Sequence, residues 1–557
     1  MKKIVSYSLA LSATVLLAGC SGKMNQFKSE YFSANPNPLE VVGQEVPATV
    51  SANVPAKFFK KNASVTITPV LVYEGTEQAG QPVVYQGEKV RGNAPVVSYD
   101  NGGNLIIPVN YVYTPAMDKS ELYMTFNVEQ GKKQYVLPRV KVADGVIATA
   151  ALADAGTVNP ATANDAFQRI INQKYNADIM FLINQANVRK NQLTTDQIKE
   201  LNAKVAETKG NDNLQLEEIN ISSYASPDGA LDFNEKLAEN REKNTLKYLE
   251  DQLKKDKMAD FSEITKQWTA EDWNGFKTLV EASDIQDKAL IIRVLNDVQD
   301  PELREEKIRE LSHVFDELAD EILPQLRRSI ITASINVIGK SDEEINRLFD
   351  TDPSKLNVEE LLYCATLTND NARKEKIYST VVSLYPNDFR GYNNLAKVQY
   401  LNKQYAQAKA NIAKAAQLAP AAKEVNMNSG LLSLVDKDFE AANRSFGNAA
   451  GLEELSDALG VYYLTQGDNA AAVKTFGKSK TNNAALAQIL TKDYAAAKST
   501  LAGIANPDAT TYYLTAVLGA RTNNESMVRS NLEKAIKLNP AYAAKAKKDL
   551  EFAKYNF

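Results

Sequence analysis

The 557-residue sequence predicts a multidomain chain of three textures: an all-β region, an α/β region and an all-helical repeat array. Three observations carry this. Short runs rich in Val, Tyr, Thr and Ile, punctuated by Gly, Asn and Pro, fill residues 39–146. Extended and helical patterns alternate from 165 to 340, and beyond 356 prolines recur 34 residues apart, at Pro386 and Pro420. A chain of this length has room for three or four separate cores.

The N-terminus comes first. Lys2 and Lys3 precede an apolar run from Ile4 to Leu17, and "LAGC" brings small residues up to Cys20. The run is too short to span a bilayer as a retained helix. It resembles a bacterial lipoprotein signal with its lipobox. The resemblance implies removal of residues 1–19 and acylation of Cys20, making membrane lipid the first partner, with several chains anchoring at about 0.8 kcal/mol per buried CH₂. Removing Lys2 and Lys3 moves the formal charge from −5 to −7. That balance disfavours nucleic acid as a partner. Residues 20–38 read as a polar tether.

Between 39 and 146, "ASVTITPVLVYE", "NLIIPVNYVY" and "ELYMTFNVEQ" are β-prone, and "YDNGGN" and "EQGKK" are turn signals. Six or seven strands in this length predict an immunoglobulin-like β-sandwich. Residues 147–164, "IATAALADAGTVNPATAN", read as an interdomain linker.

The next region runs "ADIMFLI", a helix after "TTDQIKEL", the alternating "LQLEEINISSY", a helix from about 231, and a last strand in "RRSIITASINVI". The order predicts a small α/β sandwich with helices on one face. Thr194 or Thr195 is the expected cap of the first helix, with Gln197 closing a capping box on Thr194. A helical insertion is expected at about 258–326. Within it Asp300 and Pro301 start a helix whose apolar stripe is Leu303, Leu311, Phe315, Leu318 and Ile322.

From 356 to 540, "GYNNLAKVQYLNKQYAQAKANIAKAAQLAP" and its copies repeat small and aromatic residues at matching offsets. The period resembles that of tetratricopeptide repeats, about five of them, with 541–557 as a capping helix. The resemblance implies a protein partner on the concave face, where Asn393, Asn394, Tyr400 and Asn428 are the candidate contacts.

Catalytic and metal chemistry find little support. Cys364 is the cysteine left after Cys20 and His313 is the single histidine; neither sits in a nucleophile or zinc motif. No enzyme activity, cofactor or metal is expected.

A more specific pattern lies in "SYASPDGALDFNEKLAENRE". Gly229, Asn234, Leu237 and Arg241 are spaced as in the OmpA-like peptidoglycan-associated domain, over residues 165–340. The resemblance implies binding of a peptidoglycan stem peptide, with Asn234 bracing the Gly229 turn and Arg241 gripping a carboxylate. The family's acid falls on Ser226, with Asp228 two residues along. Loss of one charge-assisted hydrogen bond of about 1.5–3 kcal/mol weakens binding roughly tenfold to a hundredfold.

The layout is similar to outer-membrane lipoproteins of Bacteroides-like bacteria. The absence of an acidic cluster after Cys20 favours a periplasm-facing anchor. The expected function is a non-catalytic scaffold, tethered to peptidoglycan through the OmpA-like domain and recruiting a protein through its repeats. The alternative is an accessory subunit of an outer-membrane assembly or secretion complex that does not bind peptidoglycan.

Overall fold

The computed structural model describes residues 22–258, 264–285, 288–310 and 312–555. The expected signal peptide, Cys20 and Leu311 lie outside the described residues. His313 falls in the helix Ser312–Glu317, and its side chain is likewise outside them. The chain forms two compact units. One joins Met1–Asn164 to Asp370–Phe557, and the other is Asp165–Asn369.

The N-terminal region of the first unit is built on two main sheets that share one core, with a short parallel pairing of Leu39–Glu40 and Val146–Ile147 besides. Strands Phe32–Asn35, Ala48–Val54 and Gly103–Val109 make one sheet. The larger is built on Ala63–Tyr73, Ser120–Gln130 and Lys133–Asp144. Alternate residues point inward as the period of two requires: Val50, Leu105 and Ile107 from the first sheet meet Val65, Ile67, Phe126 and Val128 from the second. The expected tether is shorter than read. Met24 and Phe27 are buried in this core, Phe27 stacks on Phe126 with centroids 4.2 Å apart, and Phe32–Asn35 pairs with Ala48–Val54. Two apolar side chains in a polar stretch are enough to bind it down.

The helical region of the same unit begins with Asn371–Leu384, so residues 356–369 belong to the other unit rather than to the array. Five helical hairpins follow: Phe389–Leu401 with Tyr405–Leu418, Lys423–Val435 with Phe439–Asn448, Leu455–Thr465 with Asn469–Phe476, Asn482–Leu490 with Tyr494–Ala502, and Ala509–Arg521 with Glu525–Leu538. Ala541–Lys548 closes the end. Asp388 caps the first helix of the first hairpin, and Asp438, Asp468 and Asp493 cap the second helices of the next three, through their carboxylates. First helices of successive hairpins lie side by side and form the inner face. This is an array of stacked helical hairpins, the architecture the recurring pattern predicts.

Its small residues have a visible reason. A Cβ on Gly430 would stand 2.5 Å from the Phe446 ring, and one on Gly460 2.5 Å from Phe476. In both hairpins the aromatic ring of the second helix lies where the first helix has no side chain.

In the second unit the sheet order is Ile170–Met180, Arg328–Ile338, Leu214–Tyr224, Ile264–Thr269. Helices Asp196–Glu207 and Leu231–Lys255 cover one face, where Ile198, Leu201, Leu249 and Leu253 pack on Ile219, Ile221 and Ile331. Thr195 is the cap of the first helix, accepting from Ile198 N. The insertion is not helical from its start: Ile264–Thr269 adds an edge strand parallel to Leu214–Tyr224. Trp273–Ala282 and the helices after it build a separate small core of Phe276, Val280, Ile291, Ile308 and Leu318. Asp300 caps Pro301–Arg309 as expected, but Leu303 is exposed and Ile308 takes the inward position.

The Gly430 contact is testable. Gly430→Ala must push the Phe446 ring and is expected to lower the array's midpoint in urea. Gly447→Ala, with nothing within 4 Å of its Cβ, should be neutral or stabilising by up to about 1 kcal/mol. Equal effects of the two would contradict the packing described.

Candidate functional site

The inner face of the array is not empty. Residues 148–164 lie along it, so the expected linker is an ordered strap. Small side chains without periodicity read as a flexible connection, yet small size is what lets backbone approach the helices closely. Val158 and Ala161 join the array's core, and Pro160 and Ala163 are buried beside them.

Asparagines hold the strap by its main chain. Asn394 accepts from Ala163 N at 2.8 Å and donates to Ala163 O at 2.8 Å. Asn428, one 34-residue period later, makes the same pair with Ala161, both at 2.8 Å. Asn483 accepts from Asp154 N at 3.0 Å and donates to Asp154 O at 2.9 Å. In extended chain the N–H and C=O of residues i and i+2 point to one side, so Ala161 and Ala163 present matching pairs to the first helices of two successive hairpins.

The clamp is braced from within. Asn393 donates to Ala161 O and to Asn394 Oδ1, and accepts from Asn428 Nδ2 at 3.0 Å. Tyr400, buried with its hydroxyl pushed to a higher pKa by desolvation, donates to Ala155 O at 2.6 Å. Lys397 reaches Thr162 Oγ1 at 2.8 Å. The four residues expected to face a partner are therefore brought together, but they face the chain's own strap. Asn483 and Lys397 were not anticipated. Asn482 and Asn483 form a doublet like that of Asn393 and Asn394, which is the signal that marks the position.

Next to the strap, Thr149 Oγ1 donates to Glu551 at 2.6 Å, and Glu551 is held by Arg521, which also reaches Glu40 at 3.6 Å. The sheets are thus joined to the end of the array by charge as well as by the strap.

The second candidate is the corner of the other unit. Asn234 braces it as the motif predicts, donating to Gly229 O at 2.9 Å and Ser226 O at 3.2 Å. Arg241 does not face outward. It is fully buried and donates to three carbonyls: Tyr224 at 2.8 Å, Gln185 at 3.0 Å and Leu182 at 3.3 Å. Burial, with the Arg327 guanidinium nearby, pushes its pKa down to about 10. Asp228 is held by Arg327 at 2.8 Å, not by Arg241, and Ser226 closes a triangle with both. Arg309 of the insertion donates to Asp228 O at 2.8 Å, and Arg328 pairs with Asp272 at 3.0 Å. Asp228, the acid beside the motif's Ser226, and Arg241, expected to grip a carboxylate, are both engaged inside the fold. Arg327, Arg309 and Asp272 lie outside the motif, so its spacing gave no sign of them.

Among the described residues no helix is long and apolar enough to cross a membrane, and no group of His, Cys, Asp or Glu is placed to hold a metal ion. Cys364 is buried in the helix Val358–Cys364, its thiol 3.8 Å from Asn346 Oδ1.

No protein-family model matches this chain, and no curated protein matches it. Among solved structures it is similar to a chain of the APC/C hetero-tetramer Cut9–Hcn1, at 17% identity and TM-score 0.32 over 37% of this chain and 45% of that one. The match thus spans less than half the length of that protein. It is also similar to a tetratricopeptide repeat protein from Parabacteroides merdae, at 12% identity and TM-score 0.30 over 38% of this chain and 91% of that one. A third is PilF of Pseudomonas aeruginosa, at 16% identity and TM-score 0.28 over 39% and 98%.

Asn428→Ala removes three buried hydrogen bonds and leaves Ala161 N–H without its acceptor. The expected loss is roughly 2–4 kcal/mol in urea unfolding followed by helical circular dichroism. A change under about 0.5 kcal/mol would show that water satisfies the strap equally well.

Proposed function

We propose that this chain is a non-catalytic scaffold, lipid-anchored at Cys20 to the periplasmic side of the outer membrane, that recruits a protein partner through its helical array. The observation that carries this reading is the set of asparagine clamps: side chains from the first helices of three hairpins hold a segment by its main chain, which is how a repeat surface holds a polypeptide. The anchor rests on the lipobox sequence. With Met24 already in the β core, three residues, Ser21, Gly22 and Lys23, separate Cys20 from it, a reach of about 14 Å. On this reading the β region, taken as an immunoglobulin-like sandwich, sits against the membrane surface.

For the second unit we favour the accessory-subunit reading over the wall tether. The Asn234 brace and motif spacing support an OmpA-like origin. The burial of Arg241 and the Asp228–Arg327 pair support loss of the zwitterion grip. Pulling Arg241 outward to a ligand carboxylate would strand three buried carbonyls, at about 1–3 kcal/mol each, against the roughly 1.5–3 kcal/mol a new charged hydrogen bond returns.

Crosslinking in cells followed by detergent extraction separates the two. The chain is expected to co-purify with a membrane complex whether or not sacculi are first digested, and purified sacculi should not retain it. Retention on sacculi that Arg241→Ala abolishes would restore the wall tether.

A further inference from the structure

The strap has the character of a ligand carried in cis. Its main chain is held two hydrogen bonds at a time at Asp154, Ala161 and Ala163, by side chains that belong to three different hairpins. Contacts of this kind read backbone and are indifferent to most side chains. Selectivity comes from what is buried between them: Val158, Pro160, Ala161 and Ala163 are buried, whereas Asn159 is exposed and Thr162 half-buried. Proline at 160 costs no hydrogen bond because none of the clamps uses its nitrogen, and its ring preorganises the extended conformation. Ala161 is 1% and Ala163 3% exposed, so a larger side chain at either position must displace what covers it.

We propose that the inner face is a binding groove for extended segments of the pattern Val-x-Pro-Ala-x-Ala, kept closed in the intact chain by its own copy at residues 158–163. This deepens the scaffold reading and rests on it: a partner presenting such a segment is the kind the groove fits. A tethered segment competes at an effective concentration on the order of millimolar, so the intact chain binds the same sequence in trans at least ~100-fold more weakly than a chain whose strap is withdrawn.

The probe is a fluorescent synthetic peptide with the sequence of residues 153–164, ADAGTVNPATAN. Two full-length variants open the groove: one with residues 158–163 replaced by glycine and serine at equal length, the other Ala161→Trp. Fluorescence anisotropy is expected to show the peptide binding both variants at least ~100-fold more tightly than the unaltered chain. Adding Asn394→Ala and Asn428→Ala should weaken it at least ~10-fold, and a peptide with tryptophan at the position of Ala161 should not bind. Three results would overturn the proposal: no binding to opened chains that keep their helical circular dichroism, equal binding to the unaltered chain, or loss of the helical array in both variants. The last would make the strap part of the core and not a ligand. If the peptide fails while a partner still crosslinks in cells, the groove proposal falls and the scaffold reading stands. If no partner is found but the peptide binds, the reverse holds.

Discussion

A stretch of backbone can be buried only if its N–H and C=O groups find partners, and the first unit is organised around that constraint. Residues 148–164 belong to neither the sheets nor a helix hairpin, and beyond the short 3₁₀ turns Thr149–Leu152 and Ala155–Thr157 no ladder satisfies them. Asn394, Asn428 and Asn483 supply both missing partners at Ala163, Ala161 and Asp154. Each bond nets only about 0.5–1.5 kcal/mol, while ordering a residue costs about 1–2 kcal/mol, so the bonds alone do not hold the strap. Burial of Val158, Pro160 and the alanines contributes the attraction. The asparagines set where it lies, because a slip of one residue would turn the paired groups away from all of them.

The same accounting decides the corner of the second unit. A guanidinium with five donors in a fixed fork satisfies several carbonyls at once, which makes arginine a structural fastener as readily as a ligand grip. Arg241 ties the loop after Ile170–Met180 to the end of Leu214–Tyr224, through Leu182, Gln185 and Tyr224. Arg327 takes the acid that a ligand's amine would need. The corner therefore keeps the turn braced by Asn234 while its charges are spent inside.

Much of this was legible in the residues. Period-two alternation in "ASVTITPVLVYE" and "ELYMTFNVEQ" marks strands because one face of each is packed, and the 34-residue spacing of Pro386 and Pro420 marks hairpins because each repeat needs a neighbour to bury its face. What escaped reading has three physical causes. Residues 22–35 are polar on average, and their docking depends on single residues, Met24 and Phe27, the latter packed on Phe58 and Phe126 far along the chain. Ile264–Thr269 is an edge strand with every residue after the first exposed, so it has no alternation to detect. Arg241 sits at the motif's position, yet spacing along a helix says where a side chain starts and not whether carbonyls from a distant loop have claimed it.

The central claim is that the strap is a packed part of the first unit, fastened through its main chain. Amide hydrogen exchange of the full-length protein tests it most directly, because among the described residues the partners of the Ala161 and Ala163 N–H groups are the asparagine side chains Asn428 and Asn394. Protection at both amides comparable to that of the Lys423–Val435 helix is the predicted result. Exchange at the rate of an unstructured peptide, with the helices still protected, would contradict it.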